Sequence, residues 1–506
     1  MKGIVYLVGA GPGDPGLITL KGIQCIKTAD VIVYDRLASP VLLEERKNNC
    51  KLIYVGKSPK HHTKTQSEIN EILFQEAKAG NRVVRLKGGD PYVFGRGGEE
   101  GEYLYNRNIP FEVVPGITSA IGGLAYGGIP ITHRGLARSF HVITGHLKDE
   151  YEEINWEALA ALDGTIVFLM GVSNLEKISR NLIKNGKDEN TPVAIINWAT
   201  TPRQKIVKGT LSNIYEKALK ENIKPPSLIV IGDVVDLRDS LSFYEKKPLF
   251  GRNIVITRGT TQRGDIINQL RRLGANAISI PTIEIKETKP NIRLDKAITD
   301  IDKYNYIIFT SINGANIFLK RLFELGYDTR KMAGIKVGAV GSSTAKAIGE
   351  YGINVDFIPK EYRGEGLVSE LKPKLSKEDK VLIPRAKNGR PYLVEELSKI
   401  CMVDEIKTYE TVKSTEDNEY IIENLKELDS YYILFSSPTT FINFKKIAGK
   451  DSEDILNKGK IISIGPVTSK TIKGQGYSIY KQAKKYTFDG ILEILLEEGI
   501  QYGEYK

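Results

Sequence analysis

Cysteine is scarce. Cys25, Cys50 and Cys401 lie far apart in a chain of 506 residues. They offer no disulfide framework and no metal-ligand spacing, and their rarity points to a reducing, cytoplasmic setting. Histidine is scarce too, and all five residues (His61, His62, His133, His141 and His146) precede residue 147. They make no ligand pattern, so no metal is expected. No apolar run is long enough to span a bilayer. The first apolar stretch, Ile4-Val5-Tyr6-Leu7-Val8, runs straight into a Gly/Pro loop and reads as a strand, not a signal peptide. A long block of one charge is also missing. Lys and Arg outnumber Asp and Glu by 32 to 28 in residues 1–247 and by 40 to 34 in 248–506. So diffuse an excess argues against nucleic acid as a partner and suits small anionic substrates held by a few placed cations.

What is present is ordinary globular composition, 41% hydrophobic and 26% charged, in a chain too long for one typical core. The stretch Glu245-Lys246-Lys247-Pro248-Leu249-Phe250-Gly251 marks the expected boundary, with domains at 1–245 and 250–506. The first half alternates apolar strands with helical patterns. Strands are expected at 3–8, 31–34, 82–86, 141–144, 165–170, 192–197 and 227–231, and a helix at 69–79. That alternation is the mark of an α/β fold. The second half carries a faint internal repeat. Phe309-Thr310-Ser311 precedes a helical pattern at 314–325, and Phe435-Ser436-Ser437 does the same before 439–447, an offset of 126 residues. Val340-Gly341-Ser342-Ser343-Thr344 and Ile464-Gly465-Pro466-Val467-Thr468 recur at an offset of 124. Two similar α/β lobes account for the repeat better than a solenoid does.

The loop Gly9-Ala10-Gly11-Pro12-Gly13-Asp14-Pro15-Gly16 does not fit the dinucleotide fingerprint. Asp14 stands where the third glycine belongs, and Pro12 removes an N–H. A ligand without phosphates suits it better. The run Leu86-Lys87-Gly88-Gly89-Asp90-Pro91-Tyr92-Val93-Phe94-Gly95-Arg96-Gly97-Gly98-Glu99-Glu100 is more specific. A strand ends on two glycines that let backbone approach a ligand, followed by an acid able to accept from hydroxyl or amino groups. Pro115-Gly116-Ile117-Thr118-Ser119 adds hydroxyls at a helix start, and Leu169-Met170-Gly171 adds a thioether at a strand end.

These words, with Tyr34-Asp35-Arg36-Leu37, Val55-Gly56-Lys57, Gln66-Ser67-Glu68-Ile69-Asn70, Gly128-Ile129-Pro130-Ile131-Thr132-His133-Arg134 and Gly232-Asp233-Val234-Val235, closely resemble the uroporphyrinogen-III C-methyltransferases of the tetrapyrrole methylase superfamily over about residues 2–245. The resemblance implies a two-lobed methylase fold, a homodimer through this half, and S-adenosyl-L-methionine as methyl donor with S-adenosyl-L-homocysteine as product. Cofactor contacts are implied at Pro12, Gly88, Gly89, Asp90, Val93, Thr118, Ser119, Met170 and Ala199. Asp35 and Lys57 are implied as acid–base residues. Taken alone, Asp35 reads better as a helix N-cap and Lys57 as a solvated surface lysine. The substrate's eight carboxylates make Arg36, Arg85, Arg96 and Arg134 candidate partners.

In the second half, hydroxyl-rich turns recur at strand ends before helical patterns. Such turns favour anions or simply cap helices. Ile256-Thr257-Arg258, Phe309-Thr310-Ser311-Ile312-Asn313-Gly314-Ala315, Val340-Gly341-Ser342-Ser343-Thr344-Ala345, Tyr409-Glu410-Thr411 and Ile464-Gly465-Pro466-Val467-Thr468-Ser469 resemble uroporphyrinogen-III synthases over about residues 252–498. That resemblance implies two α/β lobes, about 252–285 with 413–500 and 286–412. It implies Tyr409 as the residue assisting loss of the substrate hydroxyl, and Arg258, Thr310, Ser311, Thr344, Ser436 and Thr468 as substrate contacts. Two other readings stand beside it: Tyr409 as a half-buried structural aromatic, and the whole C-terminal half as a non-catalytic tetrapyrrole-binding or regulatory module.

Overall fold

The computed structural model describes residues 3–47, 49–56, 64–145, 154–257, 264–359, 364–414 and 419–503. The chain divides into two compact units. The first is Met1–Asn253 with Leu270–Asn276 and Leu495–Lys506, and the second is Ile254–Gln269 with Ala277–Ile494.

The first unit holds two five-stranded sheets. One is wholly parallel, in the order β3-β2-β4-β1-β5, from β1 (Ile4–Gly9), β2 (Val31–Tyr34), β3 (Lys51–Tyr54), β4 (Arg82–Lys87) and β5 (Phe111–Val114). The other runs β6-β7-β10-β8-β9, from β6 (Phe140–Thr144), β7 (Thr165–Leu169), β8 (Pro192–Asn197), β9 (Lys205–Thr210) and β10 (Ser227–Ile231). In it only β6 and β7 pair parallel. Central strands such as Val31-Ile32-Val33 are buried on both faces because helices cover both sides of a parallel sheet. The helix Gln66–Lys78 turns Ile69, Leu73 and Ala77 into one such core and is closed at its start by a Thr65–Glu68 capping box.

Seven strands expected from the sequence form within a residue or two of their expected bounds. The three it does not reveal, β3, β5 and β9, all sit at sheet edges. An edge strand has one neighbour and one dry face at most, so its hydrophobic signature is short and weak.

The second unit is built around two more sheets. One is β12-β11-β18-β19-β20, from β11 (Asn253–Ile256), β12 (Asn276–Ser279), β18 (Tyr432–Phe435), β19 (Lys460–Ser463) and β20 (Lys481–Gln482). The other is β13-β17-β16-β14-β15, from β13 (Ile283–Glu287), β14 (Tyr306–Phe309), β15 (Lys336–Ala339), β16 (Lys380–Ala386) and β17 (Met402–Lys413). The internal repeat is real at the level of structure. β14, helix Ile312–Glu324, β15 and helix Ser342–Gly349 correspond to β18, helix Pro438–Ala448, β19 and helix Pro466–Gly474. In both sheets the paired strands of the repeat are parallel neighbours.

Both tryptophans of the chain, Trp156 and Trp198, lie in the first unit. Trp156 stacks on Phe168, which is fully buried in β7. Phe168→Ala should therefore lower the stability of this unit by about 3–5 kcal/mol. Urea unfolding followed by tryptophan fluorescence reads that unit selectively; an unshifted midpoint would mean the site repacks without a cavity.

Candidate active sites

Because every strand of the first sheet is parallel, the loops that follow them leave from one edge, where open α/β sheets bind ligands. Gly11 and Gly89 exchange two backbone hydrogen bonds there, Gly89 N–H to Gly11 O at 2.7 Å and Gly11 N–H to Gly89 O at 3.2 Å. This ties the loop after β1 to the loop after β4. The loop after β5 comes in equally close: a Cβ on Gly116 would stand 2.3 Å from Gly89 O and 2.7 Å from Gly9 Cα. Gly89 differs from its neighbours. Its φ is +68°, and a Cβ there would meet nothing nearer than Thr118 Cα at 3.8 Å and Ser119 N at 3.9 Å. Gly88 instead faces Leu37, whose Cβ would be 2.6 Å away. Of the two glycines, Gly89 is thus the one with an open side, and Gly88 is required by internal packing.

Asp90 braces the loops. Its Oδ1 accepts from Tyr92 N–H (2.8 Å) and Val93 N–H (3.2 Å), and its Oδ2 from Gly116 N–H (2.9 Å). Thr118 is the N-cap of helix Ser119–Tyr126. Gly122 in that helix lets Pro12 approach, since a Cβ would lie 3.0 Å from Pro12 Cγ. Pro12, Gly89, Asp90, Val93, Thr118 and Ser119 are therefore gathered on one edge.

The second sheet supplies Met170 and Ala199, each at a strand end. Met170 has φ +56° and is 54% exposed, an unusual state for a large apolar residue after a core strand. Ala199 lies between Trp198 (φ +46°) and Thr200 (φ +65°), and its Cβ packs near Gly123 of the helix that Thr118 caps. The link between lobes is Asp14. Its N–H donates to Thr200 Oγ1 (3.0 Å), its Oδ1 accepts from Gly16 N–H (2.7 Å) and its Oδ2 from the Tyr126 hydroxyl (2.7 Å). Burial and the Asp14 carboxylate push the Tyr126 phenol well above its usual range. Gln204 extends the link, accepting from Thr200 N–H and donating to Tyr126 O and Glu245.

Asp35 follows β2 on the same edge. It caps no helix: Oδ1 accepts from Leu37 N–H (3.0 Å) in a tight turn, and Oδ2 from Arg85 Nη2 (3.1 Å). Arg85 is buried and bound also to Glu100 and to Leu86 O. It is thus an internal partner of Asp35, and not one of the arginines open to a substrate carboxylate. Arg36 and Arg134 are exposed, and Arg96 forks onto Glu99 at 2.7 and 2.8 Å. Lys57 lies outside the described residues.

Lys87 and Glu100 were not singled out from the sequence, nor were Asp14, Tyr126 and Gln204. For the first pair a signal existed: Arg85-Leu86-Lys87 puts two cations on one face of a central strand, which demands a buried anion. The lobe link had no local signal, because its members are 186, 112 and 78 residues apart in pairs.

In the second unit, Tyr409 stands opposite Ala386, the last residue of β16, and opposite Glu287 of β13. It is 5% exposed, and its hydroxyl lies 2.9 Å from Ser311 Oγ. Ser311 in turn caps helix Ile312–Glu324 through Gly314 N–H, and Ser437 caps helix Pro438–Ala448. The other two turns differ: their N-caps are Gly341 and Gly465, with no side-chain acceptor. Thr344 and Thr468 are both buried in the first turns of those helices, whereas Ser342 and Ser343 are exposed. Thr310 and Ser436 are half-buried at the ends of β14 and β18, Ser436 beside a small cavity lined by Thr257, Leu434 and Ile464. Arg258 lies outside the described residues.

Parallel-sheet loops around an open glycine in one unit, and a duplicated α/β lobe with a buried tyrosine in the other, describe a chain of two joined α/β units, each of the class that holds a ligand at its strand ends. Residues 4–215 match the family model of Tetrapyrrole (Corrin/Porphyrin) Methylases, and residues 264–493 that of Uroporphyrinogen-III synthase HemD. The "Porphyrin biosynthesis protein HemD" of Ruminiclostridium josui is 41% identical over 98% of both chains. The uroporphyrinogen-III C-methyltransferase of Methanocaldococcus jannaschii is 54% identical over 47% of this chain and 100% of its own. A solved Thermus thermophilus uroporphyrin III C-methyl transferase is 42% identical, covers 46% of this chain and 100% of its own, and has a TM-score of 0.41. The chain belongs to the family that joins a uroporphyrinogen-III C-methyltransferase of the tetrapyrrole methylase superfamily to a uroporphyrinogen-III synthase. Among the described residues no helix is long and apolar enough to cross a membrane.

Tyr126→Phe removes only the hydroxyl that Asp14 accepts from. Hydrogen bonds to charged groups contribute about 1.5–3 kcal/mol, so the first unit should lose stability by that amount. Tryptophan-detected urea unfolding checks it; a loss below about 0.5 kcal/mol would show that water replaces the phenol at no cost.

Proposed function

We propose that the second unit closes linear hydroxymethylbilane to uroporphyrinogen III with inversion of ring D, and that the first unit methylates that product twice to precorrin-2. The domains are taken as 1–245 and 250–506. The methyl donor, S-adenosyl-L-methionine, supplies an electrophilic methyl group and leaves as S-adenosyl-L-homocysteine. The observation that carries the donor site is Gly89, a left-handed residue whose open side faces the start of the Thr118-capped helix. Pro12, Gly88, Asp90, Val93, Thr118, Ser119, Met170 and Ala199 would complete the pocket. Asp35, on the same edge, is the candidate base for the pyrrole N–H whose acidity rises as a ring carbon attacks, with Lys57 as its acid partner.

In the synthase unit the task is to hold the substrate so that inversion outruns direct closure. The substrate hydroxyl must depart with a proton as water. Tyr409 is the candidate donor, and its contact with Ser311 supports that role by orienting the phenol. Arg258, Thr310, Ser311, Thr344, Ser436 and Thr468 remain the proposed substrate contacts.

One reaction tests the whole reading: the pure chain is incubated with hydroxymethylbilane and S-adenosylmethionine, and products are identified by mass and isomer. Precorrin-2 is the expected end point. Uroporphyrinogen I alone would reduce the second unit to a binding module. Gly89→Leu places a branched side chain on the open side and forces a left-handed backbone that costs an L-residue about 1–2 kcal/mol. Calorimetry should show S-adenosylmethionine affinity lost, with synthase activity intact; normal affinity would refute the pocket. Tyr409→Phe keeps the ring and loses the hydroxyl. Formation of the type III isomer should slow and type I accumulate, while methylation of supplied uroporphyrinogen III persists. A wild-type isomer ratio would leave Tyr409 as a structural aromatic.

A further inference from the structure

Beneath the methylase edge lies a cluster of four ionisable groups, of which Arg85, Lys87 and Glu100 are buried and Asp35 reaches the surface. Glu100, in helix Gly97–Tyr105, is fully buried, with 0% exposure. Its Oε1 accepts from Lys87 Nζ (2.9 Å), Gln66 Nε2 (3.1 Å) and Arg85 Nε (3.2 Å). Its Oε2 has no hydrogen-bond partner among the described residues. Burial, and then the neighbouring Arg85 charge, push the Lys87 ammonium below the usual lysine range. Such a cluster is a poor device for stability, because well-packed apolar residues serve a core as well or better. An unsatisfied carboxylate oxygen worsens it.

The arrangement has a direction, however. Arg85 reaches from the buried end to the edge. Nε is held by Glu100, Nη1 donates to Leu86 O (3.1 Å), and Nη2 donates to Asp35 Oδ2 (3.1 Å). A guanidinium is planar and rigid, so fixing Nε fixes where Nη2 points. Asp35, with its side chain 26% exposed, is the only one of the four at the surface of the edge. We propose that Glu100 is a positioning residue for methyl transfer, which through the Arg85 guanidinium holds the Asp35 carboxylate at the angle the reaction uses. This rests on the reading of Asp35 as the base. Without the Glu100 charge, two buried cations share one remaining anion, and Asp35 is drawn inward off the edge.

The test uses the full chain, supplied uroporphyrinogen III and S-adenosylmethionine. Glu100→Gln should lower kcat of methylation about tenfold to a hundredfold, the size expected of a small misplacement near the chemistry. KM and S-adenosylmethionine affinity should stay within about twofold, and the latter verifies that the unit is folded. The decisive comparison is with Asp35→Asn. If Glu100 acts through Asp35, the double variant is no slower than Asp35→Asn alone; independent structural damage would multiply instead. A wild-type kcat in Glu100→Gln, or multiplied losses, overturns the proposal while a slow Asp35→Asn keeps Asp35 as base. A wild-type rate in Asp35→Asn overturns both. Should Glu100→Gln not bind S-adenosylmethionine, Glu100→Asp, which keeps the charge but withdraws it by one methylene, is read by the same criteria.

Discussion

The pair of backbone hydrogen bonds between Gly11 and Gly89 is the constraint on which the first unit is arranged. It joins the loops after two adjacent parallel strands, and it leaves so little room that Gly9 and Gly116 must also be glycine. Two loops are thus bonded backbone to backbone, and the loop after β5 packs closely against them. Asp90 spends its carboxylate on N–H groups of two of those loops. A site built this way is rigid before any ligand arrives, which is what a methyl transfer with strict geometry needs.

Rigidity on one sheet is not sufficient, because the proposed pocket draws on two. Asp14 bridges them. It sits in the glycine loop of the first sheet and bonds to Thr200 beside Ala199 at the end of β8. Positive φ angles at Met170, Trp198 and Thr200 show that the second sheet also holds its loops in costly conformations. Strain of that kind persists where surrounding contacts over-determine it, and the Thr200–Gln204–Glu245 bonds are such contacts.

The second unit reaches a comparable end by duplication. One strand–helix–strand–helix pattern occurs twice, and in each copy the first helix is capped by serine and the second by glycine. Serine closes off the backbone N–H groups it caps, while a glycine cap leaves them to other partners. Tyr409 enters this frame from β17, the strand that pairs with both β16 and β13 and so lies at the join of parallel and antiparallel pairing.

Read alone, the sequence determined the α/β class, the positions of the central strands along the chain and the repeat at 126 and 124 residues. All of these depend on local signals: apolar runs in buried strands, glycine at strand ends, hydroxyls before helices. It also placed Pro12, Gly89, Asp90 and Thr118 in short motifs whose chemistry is legible one loop at a time. Three of the four edge strands of the first unit, β3, β5 and β9, escaped it, since a strand with one neighbour has a weaker apolar pattern. So did every relation between distant side chains. Only the tertiary structure decided that Gly88 serves packing and Gly89 has the open side, that Arg85 points inward to Glu100, and that Asp14 meets Tyr126 and Thr200. The physical reason is the same in each case: hydrogen bonds and charge pairs are set by distance in space, and the sequence records only distance along the chain.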